Sequence, residues 1–309
     1  MLWFVLLVLV LAALLPFADE WRRKPMNAAA RAAAKGAFAD LSQGRTCYRW
    51  TGPLRGPVAV CVHGLTTPSQ VWDSIAEGLA AQGFRVLTYD LYGRGFSDRP
   101  PGRQDAGFFC TQLEDLLEDQ GISQDFTLLG YSMGGAIATA YAARHPDQIR
   151  QLILIASAGV ETEPGRFAAL VRHVPLLGDW LMHAVFPRAH TRACAAERSL
   201  PSSVPGLIDT QIGELRYKGF VPAVLSSMRG ILARPQEEEH RSLHRAGVPV
   251  LAVWGKEDAL IPVTAAGRLA EWSRLARQDV VEGAGHGLPY SHAEAVLQAI
   301  SQSHEGGLT

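Results

Sequence analysis

The sequence predicts an α/β protein: a mainly parallel sheet with helices on both faces, interrupted by an α-helical cap insertion and preceded by an N-terminal hydrophobic helix. Short apolar runs alternate with segments of helical period through glycine-bearing connections, the pattern that a parallel sheet with crossover helices requires. The runs at 58–62, 126–129, 151–156 and 248–254 are nearly uniformly apolar, as strands buried on both faces must be. Between about 160 and 246 the rhythm lapses into helical segments with no convincing buried strand, so that stretch reads as an insertion on the carboxyl edge of the sheet.

Size and charge narrow the function. The 309 residues suit one large domain carrying an insertion. A formal net charge of -1 lacks the basic excess of a nucleic-acid binder. The cysteines Cys47, Cys61, Cys110 and Cys194 are scattered without ligand-type spacing and read as buried free thiols, ahead of disulfides or a metal site.

Taken in order, residues 2–17 form an uncharged apolar run a little short of the roughly 20 residues of a usual spanning helix. Trp3, Phe4 and Trp21 suit its interfacial ends. A cleaved signal peptide would carry basic residues ahead of the run, and there are none; Pro16-Phe17-Ala18 is at best a weak cleavage site, whose use would leave a secreted or periplasmic protein. A retained anchor fits better, because Arg22, Arg23 and Lys24 follow the run at once. By the positive-inside rule that flank, and the domain behind it, stay cytoplasmic. A helix docked on the soluble body is the third reading.

The chain thus divides into a membrane segment at 1–18, a linker at 19–45, a core at 46–159, a cap at 160–246 and a second core part at 247–309. The alanine-rich stretch 27–39 predicts a linker helix. Strands are expected at 46–50, 58–62, 85–89, 126–129 and 151–156, with helices at 71–82, 105–120 and 136–143 between them. Cap helices are expected at 167–174, 180–185 and 221–232. Strands at 248–254 and 278–281 and helices at 263–274 and 291–302 complete the pattern.

The chemistry centres on Gly130-Tyr131-Ser132-Met133-Gly134-Gly135, placed between a strand and a helix. A serine hydroxyl is a poor nucleophile and needs a base beside it and donors that accept developing negative charge. The glycines permit a turn that holds Ser132 clear, and the following helix aims its free N–H groups at the site. A base and an acid are wanted on loops after later strands. Asp258 follows the strand ending at Trp254, and His286 lies in Gly285-His286-Gly287 after the last strand, both at the carboxyl edge where open α/β sheets gather their sites.

Serine, aspartate and histidine in that order give the chain a strong likeness to a known family. From about residue 47 to 303 it resembles the α/β-hydrolase-fold serine hydrolases. The resemblance implies Ser132 as nucleophile, Asp258 as acid and His286 as base, with no metal or organic cofactor. It also implies an oxyanion hole made by the backbone N–H groups of Leu65 and Met133, with His63 and Gly64 as the supporting loop. His63 is better read as bracing that loop than as a second base. Asp90, in a motif similar to the family's Asp-x-x-Gly-x-Gly-x-Ser, orders its own loop. Glu257 and Glu282 read as solvated carboxylates, His145 as a partner of its helix dipole, and His173, His183 and His190 as residues without ligand spacing.

For substrate, an apolar N-terminus ahead of a capped hydrolase is similar in layout to membrane-anchored monoacylglycerol lipases. That implies a small-molecule acyl ester of lipid-like character, such as a monoacylglycerol or lysophospholipid. Phe167, Leu170, Trp180, Phe186 and Met228 are candidates to line an acyl pocket, or simply to pack the cap. Carbon–carbon bond hydrolases of ring-cleavage products and cofactor-free perhydrolases share the elbow and stand as alternatives. Epoxide and haloalkane hydrolases place aspartate where this chain has Ser132. A non-catalytic ligand-binding membrane protein is the alternative of another class.

Overall fold

A computed structural model of the chain describes residues 1–161 and 165–305. Its centre is a sheet of β1 (Ala37–Leu41), β2 (Gly44–Thr51), β3 (Val58–Val62), β4 (Arg85–Tyr89), β5 (Phe126–Tyr131), β6 (Ile149–Ile155), β7 (Val250–Gly255) and β8 (Arg277–Val281). The spatial order is β1-β2-β4-β3-β5-β6-β7-β8. From β4 to β8 all pairings are parallel, while β2 runs antiparallel to both β1 and β4. The chain winds from β3 outward to β4, then returns to lay β5 on the other side of β3. That reversal opens a crevice at the carboxyl ends of β3 and β5.

Successive side chains of the central strands go to opposite faces and explain why the runs are apolar throughout. Val60, Val62, Leu128 and Leu154 pack with helices α4 (Ala106–Asp119), α5 (Met133–Arg144), α11 (Glu237–Ala246) and α12 (Ala265–Trp272). Ala59, Cys61, Leu129 and Ile153 pack with α3 (Asp73–Ala81) and α14 (Ala293–Glu305) on the other face. Each fully buried leucine or isoleucine stabilises the fold by about 1.5–3 kcal/mol. A short α13 (Leu288–Ser291) precedes α14, ahead of the closing helix that the sequence predicts at 291–302.

Between β6 and β7 the chain forms α6 (Arg166–His173), α7 (Leu177–Ala184), α8 (Phe186–Glu197), α9 (Leu207–Gly213) and α10 (Phe220–Arg229). Val171, Met182, Phe220, Val221, Val224 and Leu225 give these helices a core of their own. Helix α11, at the end of the stretch 160–246, packs instead on α5 and α12 and so covers the sheet.

The N-terminal part departs from expectation. Helix α1 (Leu2–Arg22) runs past the apolar stretch, and the predicted linker helix at 27–39 shrinks to the single turn α2 (Ala28–Arg31), capped by Asn27 Oδ1. Residues 37–41 are strand β1, paired to β2. Alanine's helix propensity is worth only tenths of a kcal/mol per residue, and a sheet edge that offers five backbone pairings outweighs it. Residues 2–8 and 10–15 of α1 are exposed, and at 21 residues the helix is long and apolar enough to cross a membrane. Its base is docked on the cap. Glu20 accepts from the Gly219 N–H at 2.6 Å, Phe17 lies 5.1 Å from the His183 ring, and the Lys24 N–H donates to the Arg216 carbonyl at 2.9 Å.

Candidate active site

The elbow between β5 and α5 is built by close approach. A Cβ on Gly130 would lie 2.4 Å from the Gly134 carbonyl oxygen, and one on Gly134 would lie 2.0 Å from that of Val62. Only glycine lets the helix fold back onto β3 at these points. Ser132 sits at the apex with φ 54° and ψ -119°, a backbone conformation that side-chain-bearing residues rarely adopt. Its amide donates to the Ile155 carbonyl at 3.0 Å, tying the strained residue to β6.

Three distant segments converge there. His286 Nε2 lies 2.9 Å from Ser132 Oγ, and His286 Nδ1 lies 2.8 Å from Asp258 Oδ2. The Asp258 carboxylate is fully shielded, whereas the His286 side chain is 20% exposed, so of this pair the imidazole is the one that meets solvent. The second oxygen, Asp258 Oδ1, accepts from the Leu260 and Ile261 amides at 2.8 and 2.9 Å. With one oxygen pinned by the backbone, the other holds the ring so that Nδ1 carries a proton and Nε2 is free to accept one. An imidazole held this way can take a proton from the serine hydroxyl.

The loop after β3 closes the other side. Gly64 approaches Ser132 so nearly that an added Cβ would meet the serine Cβ at 3.3 Å, and its amide donates to Thr67 Oγ1 at 3.2 Å. The N–H groups of Leu65 and Met133 donate to no acceptor among the described residues. His63 is buried and spans the loop: Nδ1 lies 2.8 Å from the Gly64 carbonyl, and Nε2 accepts from the Leu91 amide at 2.9 Å. Burial pulls its pKa down to about 4, against the opposing influence of Asp90. At neutral pH it is therefore an uncharged brace, with both ring nitrogens engaged by backbone groups. Asp90 accepts from the Ser69 and Phe96 amides, both at 2.9 Å, and so orders the loop after β4. Among the described residues no three His, Cys, Asp or Glu side chains are grouped as metal ligands would be.

A model of the α/β hydrolase fold family matches residues 57–293, which hold strands β3 to β8 and the residues that build this site. The chain belongs to the α/β hydrolase fold family. Among its relatives is 2-hydroxymuconate semialdehyde hydrolase of Pseudomonas putida, 28% identical over 72% of this chain and 77% of that protein. Monoacylglycerol lipase abhd6-B of Xenopus laevis is 27% identical over 81% of this chain and 76% of its own length. An esterase from Thermogutta terrifontis shares the fold with a TM-score of 0.71 at 22% identity, over 89% of this chain and all of the esterase chain.

This α/β hydrolase also uses a residue that the motifs pass over. Arg94, fully buried within Gly93-Arg94-Gly95, donates from Nε to the Leu65 carbonyl at 3.0 Å. The same guanidinium reaches the Tyr92 carbonyl, Gln104, the Ala223 carbonyl and Ser227 Oγ. Ala223 and Ser227 lie on α10, so one arginine fastens the loop beside Ser132 to the cap. A charged residue between two glycines at a strand's carboxyl end is the signal that marks it. Leu65 packs against the apolar cluster of the cap, as do Phe167, Leu181, Phe186, Leu215 and Met228. Of the pocket candidates, Leu170, 38% exposed, and Trp180 stand outside this cluster.

Proposed function

We propose that the chain is a membrane-anchored serine hydrolase that cleaves the carboxylic ester of a lipid-like acyl substrate, such as a monoacylglycerol or lysophospholipid. The 2.9 Å approach of His286 Nε2 to Ser132 Oγ, in a ring fixed by Asp258, carries the reading. His286 takes the serine proton as Oγ attacks the ester carbonyl. The resulting oxyanion turns to the N–H groups of Leu65 and Met133, which have no other partner to give up among the described residues. One such preset donor contributes about 3 kcal/mol to the transition state. His286 then hands its proton to the leaving alcohol. Water, deprotonated by the same imidazole, attacks the acyl-enzyme and releases the acid and free Ser132.

The apolar cap cluster against which Leu65 packs supports a hydrocarbon acyl chain in preference to a charged substrate. The lipase relative supports ester chemistry, while the semialdehyde hydrolase relative keeps carbon–carbon bond cleavage as a second reading. The packing of Phe17 against His183 of the cap supports a retained anchor, since cleavage ahead of residue 19 would remove Phe17 and the apolar helix with it. The basic residues Arg22, Arg23 and Lys24 support a cytoplasmic domain. A series of monoacylglycerols of increasing chain length, compared with short water-soluble esters and a ring-cleavage product, tests the substrate. Rising kcat/KM with chain length supports the reading. Preference for the short esters, or turnover of the ring-cleavage product alone, overturns it.

A further inference from the structure

We propose that the α6–α7 turn and the basic hollow behind it form a second membrane-contact surface, where apolar residues enter the edge of the bilayer and arginines meet anionic lipid headgroups. The inference rests on the anchor reading of α1 and extends it to the cap. Leu176 is 85% exposed and Leu177 48%, with Leu170 and Val174 at 38% each. Single exposed leucines are ordinary, but four large apolar residues along one short hairpin are not. The backbone adds a second observation. Leu176 has φ 62° and ψ -60°, and the Leu177 amide bonds the Pro175 carbonyl at 2.7 Å, so Leu176 is the centre of a strained γ-turn. In water, that strain displays a leucine to solvent with no packing in return.

Behind the turn, α6, α7 and α10 border a hollow of about 520 Å³ where Arg103, Arg172, His173, His183 and Arg229 stand among apolar residues such as Pro222 and Leu225. The acidic residue of its lining, Asp179, is already paired with Arg229 at 3.1 Å. Arg172 has no ion pair among the described residues, and its Nε is buried without a hydrogen-bond partner. Cations in excess of their counter-ions, set behind exposed leucines, match the layering of a bilayer surface, with phosphates above acyl chains. The position fits as well. Helix α7 packs on α1, and its His183 meets Phe17 where the apolar run ends and Arg22, Arg23 and Lys24 begin. The hollow therefore stands beside the point where α1 would leave the membrane, and the patch continues the anchor's own interface.

The four native cysteines are buried, so one introduced thiol can be labelled selectively with a polarity-sensitive fluorophore. Full-length Leu176→Cys, Leu11→Cys and Leu275→Cys are reconstituted in phosphatidylcholine vesicles with and without phosphatidylglycerol. Leu275 lies far along the chain in the exposed turn after α12 and serves as the aqueous reference. The expected result is a blue-shifted label at 176 that iodide fails to quench, more strongly so with phosphatidylglycerol, while 275 stays quenchable. Adding Arg103→Gln and Arg172→Gln should abolish the phosphatidylglycerol dependence. A label at 176 as wet as that at 275, with 11 in lipid, overturns this inference and leaves the anchor standing. Labels wet at both 11 and 176 overturn the anchor reading itself. Shielding at 176 that follows protein concentration at fixed lipid means self-association and also overturns the inference.

Discussion

The Arg94 guanidinium donates to the carbonyl oxygen of Leu65 at 3.0 Å, and the same side chain holds Ala223 and Ser227 of helix α10. The loop proposed to donate to the oxyanion is thus braced from the cap. Lysine keeps the charge at this position but cannot form the fork. Arg94→Lys is expected to lower kcat at least about tenfold with little change in KM, since a donor displaced by a fraction of an ångström loses its transition-state contact. Steady-state kinetics beside a thermal melt check this. Loss of KM alone would place Arg94 in substrate binding instead.

Strain at the elbow predicts a trade of stability for activity. Ser132 holds a positive φ that glycine adopts freely. Ser132→Gly should be inactive yet more stable than Ser132→Ala, by about 1 kcal/mol. Paired denaturant melts of the two variants measure it.

Acid stability is set in part by a histidine outside the site. His240 on α11 is buried, stacks on Trp272 at 5.9 Å, and has both ring nitrogens unpartnered among the described residues. Burial pulls its pKa from 6.5 to about 4, although Glu239 opposes the shift. The unfolded chain therefore takes up a proton that the native state excludes. Stability is fully present above pH 6.5 and is lost as pH falls toward 4, by about 3 kcal/mol from this residue. His240→Phe should flatten that part of the pH–stability curve, as urea melts at pH 7 and pH 4.5 would show. An unchanged slope would mean that His240 titrates normally.

The fold was legible because its strands are buried on both faces. Val58–Val62 and Arg85–Tyr89 have the limits the apolar runs predict, since nothing but a central strand accommodates such runs between glycine-bearing turns. The elbow, Asp258 and His286 stood out because each closes a strand at the same edge. Other parts were hidden for physical reasons. Residues 37–41 pair through backbone groups at a sheet edge, which an alanine-rich sequence does not advertise. Helix α11 buries only His240 and Leu243 among charged neighbours, too thin a stripe to read by period. Arg94 gains its place from Leu65 and α10, contacts that span up to 133 positions, so its setting between two glycines marks the residue without revealing its partners.

The most direct test of the account is covalent capture on Ser132. Full-length protein is treated with an alkyl fluorophosphonate, digested and read by mass spectrometry, with Ser132→Ala and His286→Ala alongside. Stoichiometric modification of the peptide bearing Ser132 is expected, with none in Ser132→Ala and greatly slowed reaction in His286→Ala. Folded wild-type protein that takes up no phosphonate, or takes it up at another residue while still hydrolysing monoacylglycerol, would contradict it.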